Sequence, residues 1–107
     1  MRRDDAIRIL NEHRAELTRD FGVKSLALFG SVARNEAKKS SDVDLLVELD
    51  GRPVGLFHLA DLYGRLCELL NTEHLDLVMR DSIYPALREN ILGEAIDVIA
   101  AEVGASH

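Results

Sequence analysis

The chain has a single cysteine, Cys67, which excludes an internal disulfide and any zinc site built on cysteine pairs. Cys67 falls on the apolar side of a helical stretch, where the expectation is a small core residue. No apolar run approaches the ~18 residues of a membrane span. Asp4, Asp5, Arg8, Glu12 and His13 interrupt the segment behind Met1-Arg2-Arg3, so it lacks the apolar region of an export signal. The expected location is the cytoplasm, with no membrane association. Basic residues are outnumbered 13 to 19, for a net charge of −6. Strong direct binding to nucleic acid needs clustered Lys and Arg to release counterions, and is not expected. Internal repeats and low-complexity segments are absent too. At 107 residues the expectation is one domain, 1–107, with room for a core but little for a separate substrate-binding module.

What is present has two periods. Asp4 to Phe21 places Ile7, Leu10, Leu17 and Phe21 on one stripe, predicting a helix stopped at Gly22. Lys24 to Phe29 is apolar on both faces and predicts a central strand. Gly30-Ser31 ends it, a short helix follows over Val32 to Ala37, and Asn35 to Ser41 is a polar loop. Asp42 to Leu49 alternates, with Val43, Leu45, Val47 and Leu49 facing the core and Asp42, Asp44, Leu46 and Glu48 facing the other way. Asp50 to Pro53 is a turn. Leu56 to Leu70 predicts a helix whose stripe is Leu56, Leu59, Ala60, Tyr63, Leu66 and Leu70, widened by Leu62 and Leu69. His74 to Met79 alternates again, placing Asp76 in the middle of a strand, a costly position for a carboxylate without a partner. Pro85 opens a helix to about Ile91, interrupted at Gly93, and periodicity does not decide whether Glu94 to Ala101 is helix or strand. The fold class is α/β (α+β).

Gly30-Ser31 follows four apolar residues, and ten residues separate it from Asp42-Val43-Asp44. A strand handing the chain to a helix N-terminus offers free backbone N–H groups, and with the Ser31 hydroxyl these suit phosphate oxygens. Asp42 and Asp44 leave one face of a strand, and like charges there repel unless a cation lies between them. If the strand of Asp76 is a neighbour, ~4.8 Å away, three carboxylates converge. Such oxygen ligands suit Mg²⁺ or Mn²⁺, and a nucleoside triphosphate bridging metal and cradle is the natural ligand. In a two-metal site one ion holds the triphosphate while the other lowers the pKa of an attacking hydroxyl. Asp76 is placed to accept that proton. His74 shares the face of Asp76, and Lys38 and Lys39 lie in the loop before Asp42; solvated side chains are the expectation for all three. Glu48 is too far along its strand to join the site.

These residues resemble the signature of the polymerase-beta-like nucleotidyltransferases: Phe29-Gly30-Ser31, a spacer, Asp42-Val43-Asp44-Leu45, and later Leu75-Asp76-Leu77. Gly30-Ser31-Val32-Ala33-Arg34 and Ile91-Leu92-Gly93-Glu94-Ala95-Ile96 resemble its minimal nucleotidyltransferase (MNT) branch, the likeness spanning roughly Ala6 to Val98. The resemblance implies a small mixed β-sheet flanked by helices, with Gly30 and Ser31 binding the triphosphate of ATP. Asp42 and Asp44 would ligate two Mg²⁺, and Asp76 would complete the metal set and assist deprotonation of the acceptor. Arg34 matches the branch's arginine, as a phosphate contact or a structural ion pair. Asn35 stands where many relatives have glycine, a substitution that a left-handed backbone tolerates. Proteins of this kind commonly pair with a small helical HEPN ribonuclease as its antitoxin, and related members transfer AMP to a tyrosine of that toxin. The small size and acidity of the chain suit an acceptor hydroxyl arriving on a basic partner. The alternatives are a binding module that neutralises its partner by complex formation alone, and transfer to a small molecule, for which a second copy of the chain would have to supply a wall.

Overall fold

The structure, a computed structural model, describes residues 2–36, 42–52, 55–83 and 85–100. Four strands form one mixed sheet in the order β3-β2-β1-β4. β1 (Val23–Phe29) lies inside, antiparallel to both β2 (Val43–Leu49) and β4 (Ile96–Ile99). β2 is parallel to β3 (Leu75–Met79), and the crossover between them is α4 (Leu56–Leu70), the connection a parallel pair requires.

Both faces of β1 are covered, as its unbroken apolar run requires. On one face Leu26, Leu28, Val43, Leu45, Val47 and Leu75 pack with α1 (Arg3–Glu12), α2 (Arg14–Phe21) and α4 in the main core. On the other, Ala27 and Leu46 meet Ile83, with Phe29, Val78, Ile91 and Leu92 around them. The last two belong to α5 (Pro85–Glu94). The two-residue alternation predicted for β2 therefore holds, and its second face carries a smaller core as well as Asp44.

Four expectations are corrected. The first helix divides at His13, whose ring Nδ1 lies 2.9 Å from the Ile9 carbonyl and whose backbone leaves the helical region. A side chain bonding locally to the backbone competes with the helical ladder in this way. The stripe of α4 is rotated: Leu62, Leu66 and Leu70 are fully buried, whereas Leu56 is 79% exposed and Tyr63 39%. Gly93 does not interrupt α5, which continues to Glu94 before Ile96–Ile99 forms β4. The short helix after β1, α3, runs from Gly30 to Ala33, a single turn that begins earlier and ends sooner than the sequence suggests. Gly22 caps α2 in the left-handed region, as its position predicts. The turn at Pro53 and most of the loop from Asn35 to Ser41, with Lys38 and Lys39, lie outside the described residues.

Candidate active site

The sheet register settles where the three aspartates stand. Asp44 pairs with Phe29 of β1 on one side and lies directly opposite Asp76 of β3 on the other. Asp42 precedes β2 by one residue and shares the side-chain parity of Asp44. All three leave the sheet face that carries the smaller core, at the end where β1 gives way to α3. Asp76 is less constrained than its mid-strand position suggests. β3 is an edge strand, Asp76 is exposed, and no burial cost falls on it. The Tyr63 hydroxyl donates to the Leu75 carbonyl at 3.0 Å, tying α4 to β3 one residue before Asp76.

Gly30 is bound to this arrangement by two separate requirements. Its φ is +77°, in the left-handed region. A Cβ on it would clash with the Asp44 carboxylate oxygen and lie 2.9 Å from the carboxyl carbon. Asp44 therefore rests against bare backbone. Its carboxyl is pushed up to about 6 from its usual 3.8, first by burial and then by the negative charges of Asp76, Asp42 and Glu94, with Arg34 pulling it back. Repulsion of this kind is what a cation relieves.

The donor set is hard, anionic oxygen, which fits a divalent ion such as Mg²⁺. Among the described residues, no three carboxylate, imidazole or thiol groups are already gathered as metal ligands, so the side chains must still close on an ion that binds. His74, exposed, has its ring 4.0 Å from the Asp42 carboxylate. Glu48 accepts from the Ser25 hydroxyl at 3.3 Å, down the strand from the aspartates. A cavity of about 260 Å³ lined by Arg14, Thr18, Val23, Lys24 and Ile99 lies at the opposite end of β1.

Glu94 went without a role in the sequence. It closes α5 and returns to the site, accepting from the Gly30 N–H at 3.0 Å and from Arg34 Nη1 at 2.9 Å. Arg34 also approaches Glu36 at 3.5 Å. The Gly30 N–H is thus already engaged within the chain. Asn35 has φ +61°, the left-handed backbone that its asparagine tolerates. In the sequence Glu94 stands within Ile91-Leu92-Gly93-Glu94-Ala95-Ile96, the stretch that resembles the MNT branch, and shares the apolar run Ile91 to Ile99 with Asp97.

A family model described as a nucleotidyltransferase domain matches residues 10–98. The chain belongs to this nucleotidyltransferase family. A candidate protein adenylyltransferase of Methanocaldococcus jannaschii is 46% identical over 78 residues, covering 73% of this chain and 82% of the relative. The protein adenylyltransferase MntA of Thermococcus cleftensis is 39% identical over 90 residues, covering 84% and 89%. Among solved structures, a candidate minimal nucleotidyltransferase superposes with a TM-score of 0.73 at 36% identity, covering 90% of this chain and 95% of its own. Two toxin–antitoxin complexes share the fold: one with AMP-PNP, at a TM-score of 0.66 and 20% identity, covering 86% and 74%, and a tri-AMPylated Shewanella oneidensis HEPN toxin with its MNT antitoxin, at 0.60 and 18%, covering 89% and 73%. The mixed sheet with helices on both faces is the polymerase-beta-like fold that the motifs imply. The nucleotidyltransferase has no helix among its described residues long and apolar enough to cross a membrane.

Proposed function

We propose that this nucleotidyltransferase is a Mg²⁺-dependent protein adenylyltransferase and antitoxin, which transfers AMP from ATP to a tyrosine hydroxyl of a HEPN toxin. The observation that carries the reading is the register of Asp44 against Asp76, with Asp42 on the same face and Gly30 folded onto Asp44. Ser31 and Arg34 take triphosphate oxygens, and Gly30 lets ligand and carboxylate approach the backbone. Asp42, Asp44 and Asp76 would hold two Mg²⁺, or Mn²⁺ in their place. Bound there, the ions would lower the pKa of the acceptor hydroxyl and stabilise charge on both sides of an in-line displacement. The acceptor oxygen forms a bond to the α-phosphorus, and the bond from that phosphorus to the α–β bridging oxygen breaks. Pyrophosphate leaves with the electron pair, and Asp76 accepts the hydroxyl proton.

Four further observations support the acceptor. Curated relatives that the chain nearly spans carry the name protein adenylyltransferase. A solved complex of the same fold pairs an MNT antitoxin with a tri-AMPylated HEPN toxin. Asp76 stands exposed on an edge strand, where a hydroxyl on another protein can reach it, and a net charge of −6 suits a basic, RNA-cleaving partner.

The test is to incubate the chain with ATP, Mg²⁺ and the HEPN protein encoded beside it, then map the partner's peptides by mass spectrometry. AMP is expected on a tyrosine, and none with Asp42→Asn/Asp44→Asn. Equal modification by the double variant would sink the assignment of these aspartates. An unmodified partner that both forms neutralise equally would favour complex formation alone.

A further inference from the structure

Glu94 joins two parts of the molecule that are distant in sequence. Its carboxylate crosses 64 residues of chain to the Gly30 N–H and 60 to the Arg34 guanidinium, spending one oxygen on each. Gly30 is the first residue of α3 and Arg34 is its C-cap. The two contacts thus clamp both ends of the single turn on which Ser31 sits, and they do so from the junction of α5 and β4.

We propose that Glu94 is a positioning residue for nucleotide binding: it aims the Arg34 guanidinium and fixes the Gly30 peptide so that the turn meets a triphosphate already formed. This rests on the reading of Ser31 and Arg34 as triphosphate contacts. Arg34 has a long, rotamer-rich side chain that is 46% exposed, whereas the Glu94 side chain is the better buried partner at 33%. Unheld, such an arginine surrenders its rotamer freedom only when the nucleotide arrives, and that cost comes out of affinity. Held by Glu94 on Nη1 and approached by Glu36 on Nε, it still offers the remainder of its five donors to phosphate oxygens. An ion pair kept for stability alone would be better placed elsewhere, since exposed pairs contribute little. This one adds a fourth negative charge beside Asp42, Asp44 and Asp76, where it presses on Asp44.

A double-mutant cycle on the full chain tests it, with AMP-PNP and Mg²⁺ as the probe and calorimetric Kd as the readout. Arg34→Ala should weaken binding about tenfold or more, as expected for loss of a charge-assisted contact. Glu94→Ala should weaken it about five- to tenfold, raising KM for ATP with a smaller effect on kcat. In the Arg34→Ala background, Glu94→Ala should cost no more than about twofold further, because the guanidinium it aims is gone and only its hold on the Gly30 peptide is left to lose. Glu94→Gln keeps one acceptor oxygen and should fall between parent and Glu94→Ala; it carries the test if the alanine variant melts at the working temperature. Tighter binding by Glu94→Ala would overturn the proposal and mark Glu94 as an anion that phosphate must displace. Unchanged binding, or losses that simply add, would overturn it as well. If Arg34→Ala binds AMP-PNP as the parent does, the triphosphate role of Arg34 falls first and this inference with it.

Discussion

At Gly30 the left-handed backbone and the Asp44 carboxylate leave no room for a side chain. Gly30→Ala should therefore cost about 1–3 kcal/mol of stability, read as a lower urea midpoint, and should displace Asp44 and depress transfer. Retention of full stability and transfer would contradict the geometry. Asp44 itself gives a pH-dependent expectation. Its carboxyl is pushed up to about 6 in the folded chain from an ordinary 3.8, so between those values the folded state holds a proton that the unfolded chain has lost. Folding therefore weakens as pH rises through this window, and the penalty is complete above about 6. Asp44→Asn removes the charge. Without metal it should melt above the parent at pH 7.5, and the advantage should fade towards pH 4. An advantage that is absent at pH 7.5 or constant with pH would contradict it. Added Mg²⁺ should raise the parent's midpoint at pH 7.5 more than at pH 5, because ligand carboxylates must be deprotonated. The crowding of Asp42 and Asp44 on one strand face is legible from residue types and spacing alone. The Glu94 contacts are not, because they span 60 or more residues and no local pattern reports them.

At the scale of elements, strand alternation proved the firmest guide. Val43, Leu45 and Val47 face the main core as their spacing predicts, and the neighbouring position of β3, stated only as a condition in the sequence, is met with Asp44 opposite Asp76. Helix faces were harder to place. Leu56 and Tyr63 fit the period of α4 yet stand at the margin of its buried stripe, because the sheet lies nearer Leu62 and Leu66. Leu66→Ala should cost about 2–5 kcal/mol and Leu56→Ala no more than about 0.5 kcal/mol, both by urea unfolding. Comparable losses would mean that the helix docks as the sequence pattern alone suggests. Helix breaks differ from the sequence pattern for a related reason. Gly93 costs about 1 kcal/mol in a helix, a penalty that contacts of Ile91 and Leu92 with the Ala27 and Leu46 face offset. His13 interrupts a helix whose apolar period runs on undisturbed, through a ring contact with the Ile9 carbonyl that periodicity does not register.

For the whole molecule, the site lies on an exposed end of the sheet, between an inner strand, β1, and an edge strand, β3. The inner strand β1 runs directly into Gly30 and Ser31, and Asp76 stands exposed on the edge strand. The proposed function requires this end of the sheet to move the adenylyl group of ATP, not its terminal phosphate. Parallel incubations with the HEPN partner and Mg²⁺, one with ATP labelled at the α-phosphate and one at the γ-phosphate, test it most directly. The α-label should appear on the partner and the γ-label in released pyrophosphate, with neither transferred by Asp42→Asn/Asp44→Asn. Partner labelled from the γ-position, or labelled equally by the double variant, would contradict adenylyl transfer at these aspartates.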